Sequence, residues 1–111
     1  MEEGRVVRVA FQQADGAIKL RPAIVLKQLP AGPDLLVCAI SSKLHREMPG
    51  LDIVVHEQHP DFAGMGLPFP SLIRCAYLTT VSLQAVQDPI GEVRAETMER
   101  ILDHLTTYLN A

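Results

Sequence analysis

Arg21 stands directly before Pro22 in Lys19-Leu20-Arg21-Pro22, and the pairing gives a charged side chain a defined place. Proline restricts the preceding residue to extended geometry, so this guanidinium leaves the backbone at a strand entrance instead of on a floppy loop. A guanidinium is a planar fork of donors that keeps its charge near neutrality, which suits it to phosphate oxygens. Further along, Ser41-Ser42-Lys43 follows an apolar run and sets two hydroxyls beside a cation, groups able to bond the same kind of ligand. Arg74 is a third candidate. It sits inside Ser71-Leu72-Ile73-Arg74-Cys75-Ala76-Tyr77-Leu78, a run too apolar to hold a charge without a partner. Such a cation is paired, exposed at an edge, or aimed into a cleft. Each of the three also has a plainer reading: a solvated Arg, a turn whose serines bond their own backbone, a structural ion pair.

Other constellations carry less. His56-Glu57-Gln58-His59 with Asp61 places two imidazoles at i, i+3, but the segment has no helical period and no matching ligand set lies elsewhere. A structural zinc site closes with four ligands, so loop side chains in solvent are expected here, with no metal and no other cofactor. Gly64-Met65-Gly66 lacks the rest of a phosphate fingerprint and reads as a turn. Neither Ser41 nor Ser42 lies in a GxSxG elbow, and Cys38 reads as a small core residue.

The elements that must position these groups are short. Gly4 to Phe11 alternates, with Val7, Val9 and Phe11 on one face. Gln12 to Lys19 is polar and contains Asp15-Gly16, a hairpin signal. Pro22 to Leu26 reads as a buried strand with its proline at the start, Leu35 to Ile40 as a third strand, and Leu51 to Val55 as a short one. His56 to Pro70 is a long loop. Ser71 to Ile73 and Tyr77 to Leu83 read as strands interrupted or bulged between them. Then the period changes. Val93, Met98, Ile101, Leu102, Leu105, Tyr108 and Leu109 fall at helical spacing opposite Glu96, Glu99, Arg100 and Asp103, after a turn at Gly91. Five or six strands with short connections and a closing helix predict a mainly β fold: a small, strongly bent antiparallel sheet or partly closed barrel.

The chain has 111 residues, 48% of them apolar, consistent with one domain over residues 1–111. No apolar run approaches the roughly 20 residues of a membrane span, and the acidic start Met1-Glu2-Glu3-Gly4 has no signal-peptide core. Cys38 and Cys75 form no CxxC pair, which fits reduced thiols and a cytoplasmic protein. Net charge is −3, yet it is unevenly spread: residues 1–50 carry seven Lys/Arg against five Asp/Glu, residues 51–111 three against eight. A basic patch drawn from the first half remains available for phosphates.

Taken in order, these features resemble the PemK/MazF family of toxin endoribonucleases from bacterial toxin–antitoxin pairs, over nearly the whole chain. Gly4 with its alternating strand is similar to the family's opening strand, and Arg21-Pro22-Ala23-Ile24-Val25-Leu26 to its Arg-Pro-Ala-hydrophobic strand. Val37-Cys38-Ala39-Ile40-Ser41-Ser42, Pro70-Ser71-Leu72-Ile73-Arg74, Leu78-Thr79-Thr80-Val81 and Ile90-Gly91-Glu92-Val93 follow the pattern. The resemblance implies an SH3-like barrel with a C-terminal helix, a homodimer, and metal-independent, sequence-specific cleavage of single-stranded RNA. In that reaction the RNA 2′-hydroxyl attacks the adjacent phosphate. It implies that Arg21 stabilises the phosphorane and is a candidate general acid, that Ser41 stands for the family's catalytic Thr, and that Arg74 is a second site Arg. Lys19, Ser42 and Lys43 would bind RNA, and an antitoxin would cover the basic groove. Two departures stand out: Arg5 replaces the Asp after the opening Gly, and Ala76-Tyr77 replaces an Asp-Gln, which leaves the general base unassigned. The same barrel also serves non-catalytic gyrase poisons of the CcdB type and would suit an RNA-binding regulator.

Overall fold

A computed structural model describes residues 1–12 and 14–111. Its strands are β1 (Arg5–Gln12), β2 (Ile18–Gln28), β3 (Leu35–Ser41), β4 (Ile53–Val55), β5 (Ser71–Val81) and β6 (Gly91–Glu92), followed by the helix α1 (Ala95–Leu109). They form one curled antiparallel sheet in the order β4-β5-β3-β2-β1-β6. Both faces carry apolar clusters. Val6, Ile24, Cys38, Ile53 and Ile73 pack with Ile101 of α1, while Val7, Val9, Ala23, Val25 and Val37 pack on the opposite side. A strand buried on both faces has no polar side to alternate with, which explains the unbroken apolar runs at Pro22–Leu26 and Leu35–Ile40.

The predicted turn between β1 and β2 is present at Asp15-Gly16: Gly16 has φ +87°, and Ala17 N–H donates to Asp15 Oδ1 at 2.9 Å. Gln13, inside that turn, lies outside the described residues. Three expectations need correction or refinement. Pro22 lies within β2, not at its start. Pairing with β3 begins only at Ala23, so from Ile18 to Pro22 the strand has β1 on one side and nothing named on the other, where a missing N–H is harmless. Ser71–Ile73 and Tyr77–Leu83 form the single strand β5, ending at Val81, and of the two readings between them, interruption or bulge, the bulge is present: Ala39 faces Arg74 and Cys38 faces Leu78, so Cys75-Ala76-Tyr77 are inserted between neighbouring pairs. In α1, Thr97 and Ile101 are buried, but Leu102, Tyr108 and Leu109 of the expected packed face are exposed, so the apolar stripe is wider than the part the sheet covers.

The long loop meets β6 with main chain close against main chain. Gly66 ends a 3₁₀ turn (Ala63–Met65) with φ +73° and abuts the Ile90 carbonyl, while Gly91 abuts the Gly64 carbonyl and the Met65 backbone. A side chain at Gly91 would collide with main chain that cannot rotate aside. Gly91→Ala is therefore expected to lower stability by about 1–3 kcal/mol, as overpacking does. Urea unfolding checks this, through a lower midpoint at constant slope; an unchanged midpoint would mean the loop is not seated there.

Candidate active site

Sheet register brings the sequence candidates together. Ala23 pairs with Ala39 as the last pair of the β2–β3 ladder, and Arg21 and Ser41 each lie two residues beyond it on their strands. On the other edge of β3, Arg74 pairs with Ala39 and Leu72 with Ser41. Side chains two apart on a strand share a face. Arg21, Ser41 and Arg74 thus lie on one face of the sheet, Arg74 beside Ala39 and the other two a step of two residues further along β2 and β3. All three line a cleft of about 490 Å³, together with Ser42 and Lys43. Lys19 does not: it is exposed on β2 opposite Phe11, two residues nearer the hairpin than Arg21.

The cleft also holds groups that the sequence did not single out. Arg8 reaches it from β1, Arg46 from the 3₁₀ turn Leu44–Arg46, and Phe69 and Tyr77 from the long loop and the β5 bulge. Among the described residues five cations therefore face the cleft, four of them from the basic first half, and the lining contains no carboxylate or imidazole. Phe69 is 63% exposed and Tyr77 51%, so two aromatic faces remain open beside the cations. Fixed positive charge with one or two stacking rings is the usual equipment for single-stranded nucleic acid.

Each side chain is held differently. Among the described residues no carboxylate pairs with the exposed Arg21, leaving its fork available. Ser41 Oγ accepts Lys43 N–H at 3.1 Å, the backbone bond expected of a turn serine. That bond uses an oxygen lone pair and leaves the hydroxyl proton free to donate. Arg74 is buried. Its Nε lies 3.2 Å from Asp52 Oδ2, and its Cζ sits 3.9 Å from the centre of the Tyr77 ring. Burial pushes the Cys38 thiol up to about 12 and that of Cys75 to about 11, so neither supplies a thiolate nucleophile.

In the His56–Asp61 segment His56, Glu57 and Gln58 are exposed, as expected of a solvated loop, but His59 and Asp61 depart from it. Asp61 is 1% exposed and works as a remote cap for α1. Its Oδ1 accepts Arg94 N–H at 3.1 Å and Arg94 Nε at 2.8 Å, and its Oδ2 accepts the Thr97 hydroxyl. His59 Nδ1 in turn accepts Asp61 N–H at 3.0 Å. These side chains hold the loop to the helix.

With strand order, the Arg-Pro strand and the cationic cleft in place, the family can be decided. Residues 2–109 match the family described as PemK-like, MazF-like toxin of type II toxin–antitoxin system. The chain belongs to the PemK/MazF toxin family. Solved structures of similar shape agree with that membership. Over 96% of this chain and 97% of the other, it superposes on the Mycobacterium tuberculosis toxin MazF-mt6 with a TM-score of 0.69 at 20% identity. An endoribonuclease solved with its cognate antitoxin, from Mycobacterial species, gives 0.74 at 17% identity, covering 99% and 95%. A MazE–MazF complex from Deinococcus radiodurans gives 0.75 at 15% identity, covering 99% and 96%. At these identities the likeness speaks for the MazF-type fold: a curled six-stranded sheet closed by one C-terminal helix. No curated protein matches the chain significantly. Among the described residues, no helix is long and apolar enough to cross a membrane.

Proposed function

We propose that this toxin is an endoribonuclease that cuts single-stranded RNA and is neutralised by a cognate antitoxin. The observation that carries the reading is the cleft: five cations, no carboxylate among the described residues, two open aromatic rings, and Arg21 and Ser41 in one lining. Attack of the RNA 2′-hydroxyl on the neighbouring phosphorus places extra negative charge on the phosphorane oxygens. Preorganised cationic donors stabilise that charge, the largest single contribution in many enzymes. Arg21 meets those oxygens and protonates the departing 5′-oxygen, Ser41 donates its hydroxyl to the same group, and Arg74 adds a second guanidinium. Water takes the 2′-hydroxyl proton, in keeping with a lining that holds no carboxylate or imidazole. Ser42 and Lys43 hold the RNA backbone at the cleft, and Lys19 adds charge at its approach. Residues 1–111 act as one toxin domain in the cytoplasm. Exposed Leu102, Tyr108 and Leu109 favour a homodimer, since exposed apolar surface of this kind marks interfaces. The antitoxin solved with the Mycobacterial endoribonuclease supports a protein inhibitor of the same kind.

One observation favours a second reading. With Ala76-Tyr77 in the bulge and no titratable base in the lining, the cleft also suits a non-catalytic toxin, either a CcdB-like gyrase poison or an RNA-binding regulator. Incubation of the purified protein with a panel of single-stranded RNAs separates them. Discrete cuts ending in a cyclic phosphate, persisting in EDTA, are expected. Intact RNA with inhibited gyrase supercoiling would establish the alternative, and intact RNA retained in a complex would point to the regulator.

A further inference from the structure

Asp52 is a buried carboxylate behind the cleft that the proposed chemistry does not use. It reaches Arg74 by register: Ile53 pairs with Ile73, so one further step along the β4–β5 ladder faces Asp52 with Arg74. Its carboxylate is fully shielded and the Arg74 side chain only 8% exposed. Oδ2 accepts Met48 N–H at 2.9 Å, which pins the carboxylate to the chain, and lies 3.2 Å from Arg74 Nε. Yet the Nε–H is not aimed at that oxygen, and Oδ1 has no partner among the described residues. An ion pair serving stability alone would close both oxygens on the fork, since every buried polar atom left open costs free energy. This pair instead meets at the Nε edge. Tyr77 covers one guanidinium face at 3.9 Å. The edge left over is the pair of Nη atoms, and Arg74 lines the cleft.

We propose that Asp52 is a positioning residue: it holds the Arg74 guanidinium against Tyr77 so that the Nη pair faces the cleft and meets a phosphate oxygen of bound RNA. The proposal rests on the RNA-cleaving reading of the cleft. A charge alone would serve a diffuse attraction for RNA. A fork fixed on two sides serves one orientation, which matters only when a particular oxygen must be met.

The test compares wild type, Asp52→Asn, Arg74→Lys and the double variant. Asp52→Asn is expected to lower kcat by about 10- to 100-fold, as misplacement of an oriented group does. KM should stay within about threefold, because attraction for the RNA is retained. In the Arg74→Lys background, where no fork remains to orient, the same change should cost nothing further. Independently of cleavage, the side-chain Nε–H resonance of Arg74 should lose its Tyr77 ring-current shift in Asp52→Asn. In wild type it should move when an oligonucleotide carrying a 2′-deoxy group at the cleaved position binds. Full additivity of the two substitutions, or an unmoved Arg74 resonance in Asp52→Asn, would overturn the proposal. If Asp52→Asn does not fold, failure of the wild-type resonance to respond to the oligonucleotide overturns it. Absence of RNA cleavage by wild type would instead remove the enzymatic reading, and the resonance in Asp52→Asn would still report whether Asp52 holds Arg74.

Discussion

Arg21→Ala is expected to lower RNA cleavage by about 10²- to 10³-fold, the usual loss when a preorganised transition-state donor is removed. The melting temperature should hardly change. Arg21 is exposed and makes no ion pair among the described residues, and substitutions of that kind alter stability by about 0.5 kcal/mol or less. Single-turnover cleavage of a defined oligonucleotide beside a thermal melt measures both. A variant that cuts at the wild-type rate with a normal melt would remove Arg21 from the chemistry. Ser41→Ala serves as the graded companion. Its oxygen already accepts Lys43 N–H, so a single neutral donor is lost. One such bond is worth about 1 kcal/mol, roughly a fivefold change in rate.

Asp61→Ala should produce a large loss of stability, far from the cleft. The substitution leaves the Arg94 N–H and the Thr97 hydroxyl without their acceptor at the start of α1. Arg94 is half-exposed and can return its charge to water, so the cost comes from the two orphaned donors and the lost cap, about 2–5 kcal/mol in all. For a chain of this size that is a fall in Tm of roughly 10–20 °C. The effect also carries a pH signature. Burial alone would raise the Asp61 pKa, but hydrogen bonds from Thr97 and Arg94, with the Arg94 charge, outweigh it and hold the carboxyl below its ordinary 3.8. A carboxyl depressed in the folded state contributes stability above its unfolded pKa and loses it as pH falls through the folded value. The gap between wild type and Asp61→Ala should therefore be full near neutrality and narrow in acid, below about pH 4. A gap independent of pH would show that the charge on Asp61 has no part in it.

The strands were legible because apolar alternation and the Asp15-Gly16 turn report local geometry directly. So was the strand-borne part of the cleft lining: Arg21, Ser41 and Arg74 each border or interrupt an apolar run, where a polar side chain calls for a reason. What sequence spacing does not carry is register. Arg8 looks like any polar residue of an alternating strand until β1–β2 pairing sets it opposite Pro22, and Asp52 looks like a loop acid until β4–β5 pairing sets it against Arg74. Tyr77 turns to the cleft because a three-residue bulge re-aims that part of β5. Asp61 was misread for a related reason. Its partners lie 33 and 36 residues away, on a helix whose docking no local pattern announces.

The bare main-chain seam where Gly66 and Gly91 meet their neighbours has a bearing on RNA capture. Leu67, Pro68 and Phe69, which form one wall of the cleft, follow directly from Gly66. Anchored at that seam, the wall is already shaped when a ligand arrives, and little configurational freedom is surrendered on association. If the cleft takes RNA as proposed, its affinity is tied to two residues outside the cleft lining.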